Sequence, residues 1–287
     1  MINNIFSLCY SNDGGIMMYT KINEAANYIS SIYNKPIDLA IVLGSGLGPL
    51  ANEIENPIVI DYKDIPHFPV PKLVGHAGQL IIGNIGEKTV VAMKGRFHYY
   101  EGYPMDIITL PVRVFKKLGI ENLILTNACG GITEGLNPGT IMAIRDHVGL
   151  FCPSPLRGPN LDEFGPRFKD MTEIYSKEKQ AILHDVAKEN NINIASGVYG
   201  FFRGPMYESP AEIMAYKALG CDTVGMSTVP EAVVARHSGM TTLGISLVTN
   251  RAAGLGASEL DHAEVVEAAN KAEKDLVTLV KGVITAW

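Results

Sequence analysis

Apolar residues along this chain alternate between short continuous runs and longer stretches at helical spacing. The short runs are mostly rich in Val, Ile and Leu and are bounded by glycine or polar residues, as buried strands are. They cover residues 38–43, 89–93, 122–126, 221–224 and 241–248. The last helical pattern starts near Asp261 and keeps an apolar stripe as far as Val283. This alternation predicts an α/β fold.

Four of the five runs lead into small or polar residues. The segments that follow them are residues 44–48, 127–131, 225–227 and 249–250. In open α/β sheets, ligands bind outside the carboxyl ends of the strands. We therefore expect these polar residues to gather at one rim of the sheet.

Two helix starts carry a capping box, in which a Ser or Thr and a Glu three residues later bond each other's backbone N–H groups. One box is Ser209 with Glu212, and the other is Thr228 with Glu231. Each has proline in the first turn, which favours a helix start there. Glu208 precedes the first box and is therefore predicted to lie just outside a helix start.

Length and charge narrow the class of protein. The chain has 287 residues, 47% of them apolar, which is enough for one substantial core, and no Pro/Ser-rich linker divides it. We predict a single domain over residues 21–287, preceded by a dispensable extension over residues 1–20. A net charge of −6 argues against nucleic acid or an anionic membrane as a partner.

The cysteines and the lack of long apolar stretches indicate a compartment. Cys9, Cys129, Cys152 and Cys221 have no CxxC spacing and no companion histidines, which favours reduced thiols over disulfides or a zinc site. Nowhere do 18 apolar residues run together, and the first twenty residues lack a basic leader pattern. These features predict a cytoplasmic protein without a metal.

The segment 93–102 holds the densest group of chemically useful side chains. It places Arg96, His98, Tyr100 and Glu101 behind Gly95. If the backbone stays extended after the preceding strand, residues 96, 98 and 100 share one side, because side chains alternate in a strand. That side would carry the guanidinium of Arg96, which can bind an oxyanion, beside the phenol of Tyr100, which can bind a ligand hydroxyl group. A strand end with a surface salt bridge explains the same residues, and both explanations stay open.

Other candidate segments also have simple structural explanations. The glycines at 44–48 either present backbone N–H groups to an anion, with Ser45 as a further donor, or only make a turn. They do not have dinucleotide-fold or P-loop spacing, and residues 225–229 lack the last glycine of a serine hydrolase elbow.

Glu208 and Tyr207 would face a flat ligand, or Glu208 would complement a helix dipole. Asn250 would otherwise bond its own loop, and His262 would otherwise lie on the surface.

Taken in order along the chain, eight motifs resemble those of the trimeric purine nucleoside phosphorylases. The resemblance runs from about residue 22 to 284, and its most specific segments are residues 95–103 and 224–231. The motifs are GSGLG at 44–48, GHAG at 75–78, GRFH and YEGY within 95–103, TNA at 126–128, PLRGPN at 155–160, GPxYE at 204–208, VGMSTVPE at 224–231 and TN at 249–250.

This resemblance implies reversible phosphorolysis of purine (deoxy)ribonucleosides in purine salvage, by a homotrimer that uses inorganic phosphate as co-substrate and no cofactor. The implied fold is a single α/β domain with a mixed, barrel-like central sheet flanked by helices. By the family pattern, phosphate would be bound by Ser45, His76, Arg96, His98, Ser227 and the backbone at Ala128. The sugar would contact Tyr100, Met226, His262 and, from a neighbouring subunit, Phe151. The purine would contact Tyr207, Glu208, Met226 and Asn250, and catalysis would depend on Asn250, Glu208 and His98.

The implied base site favours 6-oxopurines. An ionised Glu208 accepts the N1–H that inosine and guanosine carry and that adenine lacks. Asn250 would donate to N7 while negative charge grows on the departing purine. Similar enzymes that cleave 5′-methylthioadenosine carry aspartate at the position of Asn250 and lack a counterpart of His262.

Some residues depart from the family pattern, and two other functions remain as alternatives. Arg203, Met206 and Cys129 stand where smaller residues are common, so the ranking of inosine, guanosine and xanthosine stays open. A nucleosidase would attack with water and would need no cluster around an anion. A non-catalytic nucleoside-binding module would need neither Arg96 nor Asn250.

Overall fold

A computed structural model of the chain describes residues 13–44, 48–70, 78–256 and 262–287, without the side chains of residues 13, 262–266 and 269. Within these ranges the strands are β1 (Leu39–Leu43), β2 (Glu55–Asp61), β3 (Gln79–Ile85), β4 (Lys88–Lys94), β5 (Asn122–Gly131), β6 (Ile141–Val148), β7 (Ile194–Phe201), β8 (Thr223–Gly225) and β9 (Thr241–Arg251). The helices are α1 (Asp13–Ile32), α2 (Met105–Ile108), α3 (Leu110–Lys117), α4 (Lys177–Glu189), α5 (Pro210–Ala218), α6 (Val229–His237) and α7 (His262–Ala286). Short 3₁₀ turns lie at Gly48–Glu53, Tyr62–Asp64 and Tyr99–Glu101.

The strands form one mixed sheet that closes on itself. Their order is β2-β3-β4-β1-β5-β8-β7-β6-β9, and β9 also pairs with β5. The strands β5, β8, β7, β6 and β9 therefore make a closed ring, while β1 to β4 extend it as an open sheet. Parallel pairs such as β1 with β5 occur beside antiparallel pairs such as β6 with β9. The prediction of an α/β domain with a mixed, barrel-like sheet is confirmed.

Both faces of the open sheet are covered by helices, which explains the continuous apolar runs. In β1, Ala40 and Val42 face a core that includes residues of α1, α3 and α6. The alternate residues, such as Ile41, face a second core that includes residues of α4 and α7. Every residue of β1 is therefore buried.

Three strand predictions need correction. Residues 127–131 do not follow a strand that ends at 126, because β5 continues through Gly131. In the same way β9 continues through Arg251, since these ends pair with each other across the ring. The run at 221–224 yields only the short strand β8. This strand lies antiparallel to β5 and pairs with Gly130 and Gly131, at the carboxyl end of β5. The other four runs lie in β1, β4, β5 and β9, which are parallel, so their carboxyl ends do meet at one rim.

The amino-terminal helix crosses the predicted domain boundary. Helix α1 begins at Asp13, eight positions before residue 21, and packs against α3. Met18 is already buried in the core. The dispensability of residues 1–20 remains a prediction, and residues 1–12 lie outside the described structure.

Two further sequence predictions concern thiols and membranes. Cys129 and Cys221 are buried free thiols and Cys152 is a half-buried one, while Cys9 falls outside the described ranges. No helix in the described part of the chain has the length and apolar character needed to cross a bilayer.

Candidate active site

Arg96 lies at the rim of the sheet, and its side chain is held by residues of β5, of α6 and of the segment between β8 and α6. It follows β4 after Gly95, whose φ of 115° turns the chain, and its side chain is only 2% exposed. Its Nε donates to Glu231 Oε1 at 2.9 Å. Its Nη1 donates to the carbonyl of Thr126 at 2.8 Å and to Ser227 Oγ at 3.3 Å. A guanidinium fixed in this way is a preorganised binding group for an oxyanion.

Glu231 has a structural and a positioning role at once. It is buried, and its Oε2 accepts a hydrogen bond from the backbone N–H of Thr228 at 3.0 Å, which caps α6. Its other oxygen binds Arg96. Thr228 has a φ of 70° and accepts a hydrogen bond from Asn127 Nδ2 at 2.9 Å. The capping box was predicted from sequence, whereas the bond to Arg96 was missed because it joins residues 135 positions apart.

The glycine after β1 is required by the close approach of β5. A Cβ on Gly44 would lie 2.7 Å from the Cα of Asn127. The backbone N–H of Gly44 donates to Thr126 Oγ1 at 3.1 Å, and that hydroxyl donates to the carbonyl of Val42 at 2.9 Å. Packing alone therefore explains this glycine. The predicted phosphate ligands Ser45 and His76 lie outside the described residues.

His98 and Tyr100 come together through a turn and not through an extended segment. Residues Tyr99–Glu101 form a 3₁₀ turn, so the expected alternation of residues 96, 98 and 100 is wrong beyond His98. The rings of His98 and Tyr100 stack with centroids 4.7 Å apart and planes at 13°. Glu101 Oε1 lies 3.1 Å from His98 Nδ1 and fixes the imidazole. Both partners of this pair are buried, which argues against the surface salt bridge.

The segment 204–208 packs against two residues expected at the sugar. Gly204 has a φ of 64°, and a Cβ there would collide with Met226 Sδ and lie 3.0 Å from a ring carbon of Tyr100. Burial raises the pKa of Tyr100 to about 12, with smaller contributions from Glu101 and Tyr207. Tyr100 therefore stays a neutral phenol that donates or accepts a hydrogen bond.

Glu208 is a buried carboxylate whose environment does not favour its charge. The residue is 6% exposed at the entrance to α5, whose predicted capping box between Ser209 and Glu212 is present. The pKa of Glu208 is raised to about 7, mainly by burial; a hydrogen bond from its own backbone lowers it, and the nearby charge of Glu212 makes a smaller contribution that raises it. Such a group is stabilised by a ligand N–H. Tyr207, beside it, is 39% exposed.

The amide of Asn250 is oriented by its neighbours and keeps a hydrogen for a ligand. Its Oδ1 accepts a bond from Thr249 Oγ1 at 3.1 Å, and its Nδ2 donates to the carbonyl of Arg251 at 2.9 Å. The bonds to its own loop are thus present, yet Nδ2 carries two hydrogens. Gly130 pairs with Asn250, and a Cβ there would lie 3.2 Å from Nδ2. Gly130 also pairs with Val224, two residues before Met226.

The remaining predicted residues are placed less completely. Ala128 is half-buried within β5. Phe151 is 47% exposed, its ring lies 5.9 Å from that of Tyr216, and its carbonyl accepts a bond from Arg203 Nε at 2.8 Å. His262 begins α7, but its side chain lies outside the described structure. Within the described ranges, no three His, Cys, Asp or Glu side chains group as a metal site would require.

The chain matches a known family model over most of its length. Residues 38–285 match the model described as the phosphorylase superfamily. Purine nucleoside phosphorylase 1 of Geobacillus stearothermophilus is 48% identical over 93% of this chain and 98% of its own. The purine nucleoside phosphorylase of Bos taurus is 40% identical over 91% of this chain and 93% of its own.

Solved structures agree with these relatives. Isoform 2 of purine nucleoside phosphorylase from Schistosoma mansoni, in complex with cytosine and ribose-1-phosphate, is 42% identical with a TM-score of 0.88, covering 93% of this chain and 96% of that one. A purine nucleoside phosphorylase of the same organism in complex with inosine has a TM-score of 0.89 at 36% identity, covering 93% and 96%. The ordered motifs and the closed mixed sheet agree with these matches. This chain therefore belongs to the purine nucleoside phosphorylase family of the phosphorylase superfamily, as the family match and the relatives at 40–48% identity show.

Proposed function

We propose that this protein catalyses the reversible phosphorolysis of purine nucleosides, with 6-oxopurine nucleosides such as inosine and guanosine preferred. The reaction yields the free purine and (deoxy)ribose 1-phosphate, as a cytoplasmic step of purine salvage. The observation that carries the proposal is Arg96, a buried guanidinium held by Glu231, Thr126 and Ser227. A nucleosidase, which attacks with water, has no use for such a fixed anion-binding group.

At the phosphate end, the protein holds and positions the nucleophile. Arg96, His98, Ser227 and the backbone at Ala128 would bind phosphate, and Ser45 and His76 are predicted to complete the site. A phosphate oxygen forms a bond to C1′ while the C1′–N9 bond breaks and the electron pair of that bond passes to the purine. The proton that hydrogen phosphate loses in becoming the sugar ester balances the one that the free purine gains. Bound phosphate also stabilises the positive charge that develops on the sugar, so its position affects the rate as well as binding.

At the purine end, two side chains would neutralise and select the leaving base. The second hydrogen of Asn250 Nδ2 would bind N7, a bond that strengthens as the purine gains negative charge. Ionised Glu208 would accept the purine N1–H beside the ring of Tyr207. Adenine has no N1–H and would leave the buried carboxylate unpaired, which costs several kcal/mol.

The sugar site would require a second subunit. Tyr100 and Met226 would contact the sugar from one chain, together with His262. Phe151 of a neighbouring chain is proposed to cover it, in a homotrimer, and its 47% exposure supports that role. Sedimentation equilibrium tests this assembly, and a monomeric, fully active enzyme would contradict it.

Release of the base from inosine, with and without inorganic phosphate, tests the proposed reaction. We expect hypoxanthine only when phosphate is present, and no adenine from 5′-methylthioadenosine measured in parallel. Arg96→Ala should raise the KM for phosphate at least tenfold, whereas Lys88→Ala, at the other end of the same strand, should not. Hypoxanthine release without phosphate would identify a nucleosidase instead.

A further inference from the structure

A separate cavity of about 540 Å³ lies between α1, the α2–α3 pair and residues 153–161. Gly14 and Met18 of α1 line one side, and Met105 and Arg113 line another. None of the described residues assigned above to phosphate, sugar or purine lines it. Tyr99 does, and it stands directly before Tyr100 in the 3₁₀ turn of the active site.

Arg113 brings an uncompensated charge to this cavity. It is 5% exposed, and its Nε and Nη1 are buried without a hydrogen-bond partner among the described residues. Burial lowers the pKa of Arg113 to about 10, against a smaller effect of Asp106, so the guanidinium is charged at neutral pH. Its Cζ lies 5.8 Å from the centre of the Phe164 ring, which balances only part of a buried charge. Buried guanidinium donors are normally paired with an anion.

His237, Asp106 and Arg157, which also line the cavity, do not neutralise the charge of Arg113. His237 is 1% exposed, and burial followed by the charge of Arg113 lowers its pKa, so the imidazole is neutral at pH 7. Its Nε2 faces the carbonyl of Pro166 at 3.1 Å, and its Nδ1 is buried without a partner within the described chain. Asp106 lines the cavity and is exposed, and it affects the pKa of Arg113 through its charge and not through a hydrogen bond. Exposed Arg157 adds positive charge at the same wall.

The wall formed by residues 153–161 is held in place by hydrogen bonds. Arg167 Nη1 donates to the carbonyls of Leu156 at 3.1 Å and Gly158 at 2.8 Å. Asn160 Nδ2 donates to the carbonyl of Gly165 at 2.9 Å. The cavity is thus a built feature whose volume falls in the range of small-molecule sites.

We propose that this cavity binds a small organic oxyanion, a phosphate ester or a carboxylate, whose charged group bonds Arg113. The uncharged part of the ligand would pack against Met18, Met105 and Leu156, which supply apolar lining. Because Tyr99 forms part of the wall, the occupant would contact the turn that carries Tyr100. The site is distinct from the nucleoside site and does not depend on its chemistry.

Crystals of the full chain grown in selenate locate the anion directly, because selenium scatters anomalously. We expect one anomalous peak in the cavity beside the guanidinium of Arg113, with a selenate oxygen at hydrogen-bond distance from one of its nitrogens, apart from any peak at Arg96. Water alone in the cavity, or a side chain of another subunit bonded to Arg113, would overturn the proposal.

Equilibrium dialysis with inorganic phosphate tests the same site in solution. We expect two phosphates per subunit in the native protein and one in either Arg113→Gln or Arg96→Ala. Asp106→Asn removes a competing carboxylate and should tighten the second site about threefold. Lys116→Gln, which removes a surface charge from the same helix, should leave both sites unchanged. An equal phosphate count in the native protein and Arg113→Gln, with no tightening in Asp106→Asn, contradicts the site whatever the enzyme activity is.

Discussion

Glu208 shows how one buried side chain couples specificity to pH. Its pKa of about 7 results mainly from burial, so the ionised form that accepts N1–H is only partly populated at neutral pH. We expect kcat/KM for inosine, at saturating phosphate, to fall about tenfold for each pH unit below 7 through this group. Phosphate itself titrates in this range, so the quantity to measure is the difference between the pH profiles of the native enzyme and Glu208→Gln.

The matched control for this prediction is Glu212→Gln. It removes the neighbouring charge that raises the pKa of Glu208 but keeps a side chain able to cap α5. Its profile should retain the native shape with a slightly lower midpoint. Identical profiles for the native enzyme and Glu208→Gln would show that Glu208 does not bind the base.

The same burial makes Glu208 costly for stability. Because the pKa of Glu208 is raised in the folded state, its contribution to the free energy of unfolding is most favourable below about pH 4.5. That contribution is lost as pH rises through about 7, where the buried carboxyl ionises. In ligand-free protein at pH 8, Glu208→Gln should therefore be about 3 kcal/mol more stable than the native chain. Urea unfolding at pH 8 and pH 4.5 measures the difference, which should vanish at the lower pH. Equal stability at pH 8 would refute the buried-charge account.

Asn250 decides which purine leaves easily. Asn250→Asp replaces the N7 donor by a carboxylate and should lower kcat/KM for inosine by about 10²–10³. Activity on adenosine should rise relative to inosine, because a carboxylate accepts a hydrogen bond from the 6-amino group of adenine but repels the 6-oxo group of hypoxanthine. Asn270→Asp, on the exposed face of α7, is the control. An unchanged ratio of inosine to adenosine turnover would remove Asn250 from the base site.

At the scale of elements, one ion pair joins the end of β4 to the start of α6. Arg96 and Glu231 are both buried, and breaking a buried pair costs about 3–5 kcal/mol because a charge is left uncompensated. Glu231→Gln should lower the free energy of unfolding by this order. The loss should shrink in saturating phosphate, because the bound dianion compensates Arg96 in place of the carboxylate.

An exposed ion pair provides the comparison for this effect. Glu163→Gln breaks the surface pair with Lys117 and should cost less than about 1 kcal/mol, with no dependence on phosphate. Urea unfolding of both variants, with and without phosphate, measures the two effects together. A loss in Glu231→Gln that phosphate leaves unchanged would argue against an anion bound at Arg96.

At the scale of the whole molecule, the amino-terminal helix divides the predicted extension. Deleting residues 1–12 should leave stability and activity unchanged. Deleting residues 1–20 also removes the first two turns of α1 with buried Met18, which should cost about 2–3 kcal/mol. Thermal unfolding of the two shortened chains makes the comparison. Equal melting temperatures would show that all twenty residues are dispensable, as the sequence alone predicts.

Local features of the fold were predictable because they depend on neighbours along the chain. The capping box at Ser209 and Glu212 follows from residue types three positions apart, and β1 and β4 follow from apolar runs. The extent of β5 and β9 was underestimated. Their last residues are glycine and polar types with weak strand preference, and pairing across the closed ring makes them strands.

The candidate site was partly predictable for the same reason. Ordered motifs identify the family and point to Arg96, Glu208 and Asn250. The charge and hydrogen-bonding capacity of these side chains follow from their residue types. Contacts between distant segments carry no local pattern. Glu231 looks only like a helix cap, and Arg113 looks only like one more charged residue in a helical pattern.

The sequence by itself determined the α/β class, the starts of α5 and α6 and the family, since these follow from spacing and composition. Only the tertiary structure decided that Glu231 holds Arg96, that His98 stacks on Tyr100 in a turn, and that Nε and Nη1 of Arg113 are buried without a hydrogen-bond partner among the described residues. The physical reason is that burial and charge pairing depend on which segments the closed sheet brings together. That choice is made by the whole fold and not by any one stretch of the chain.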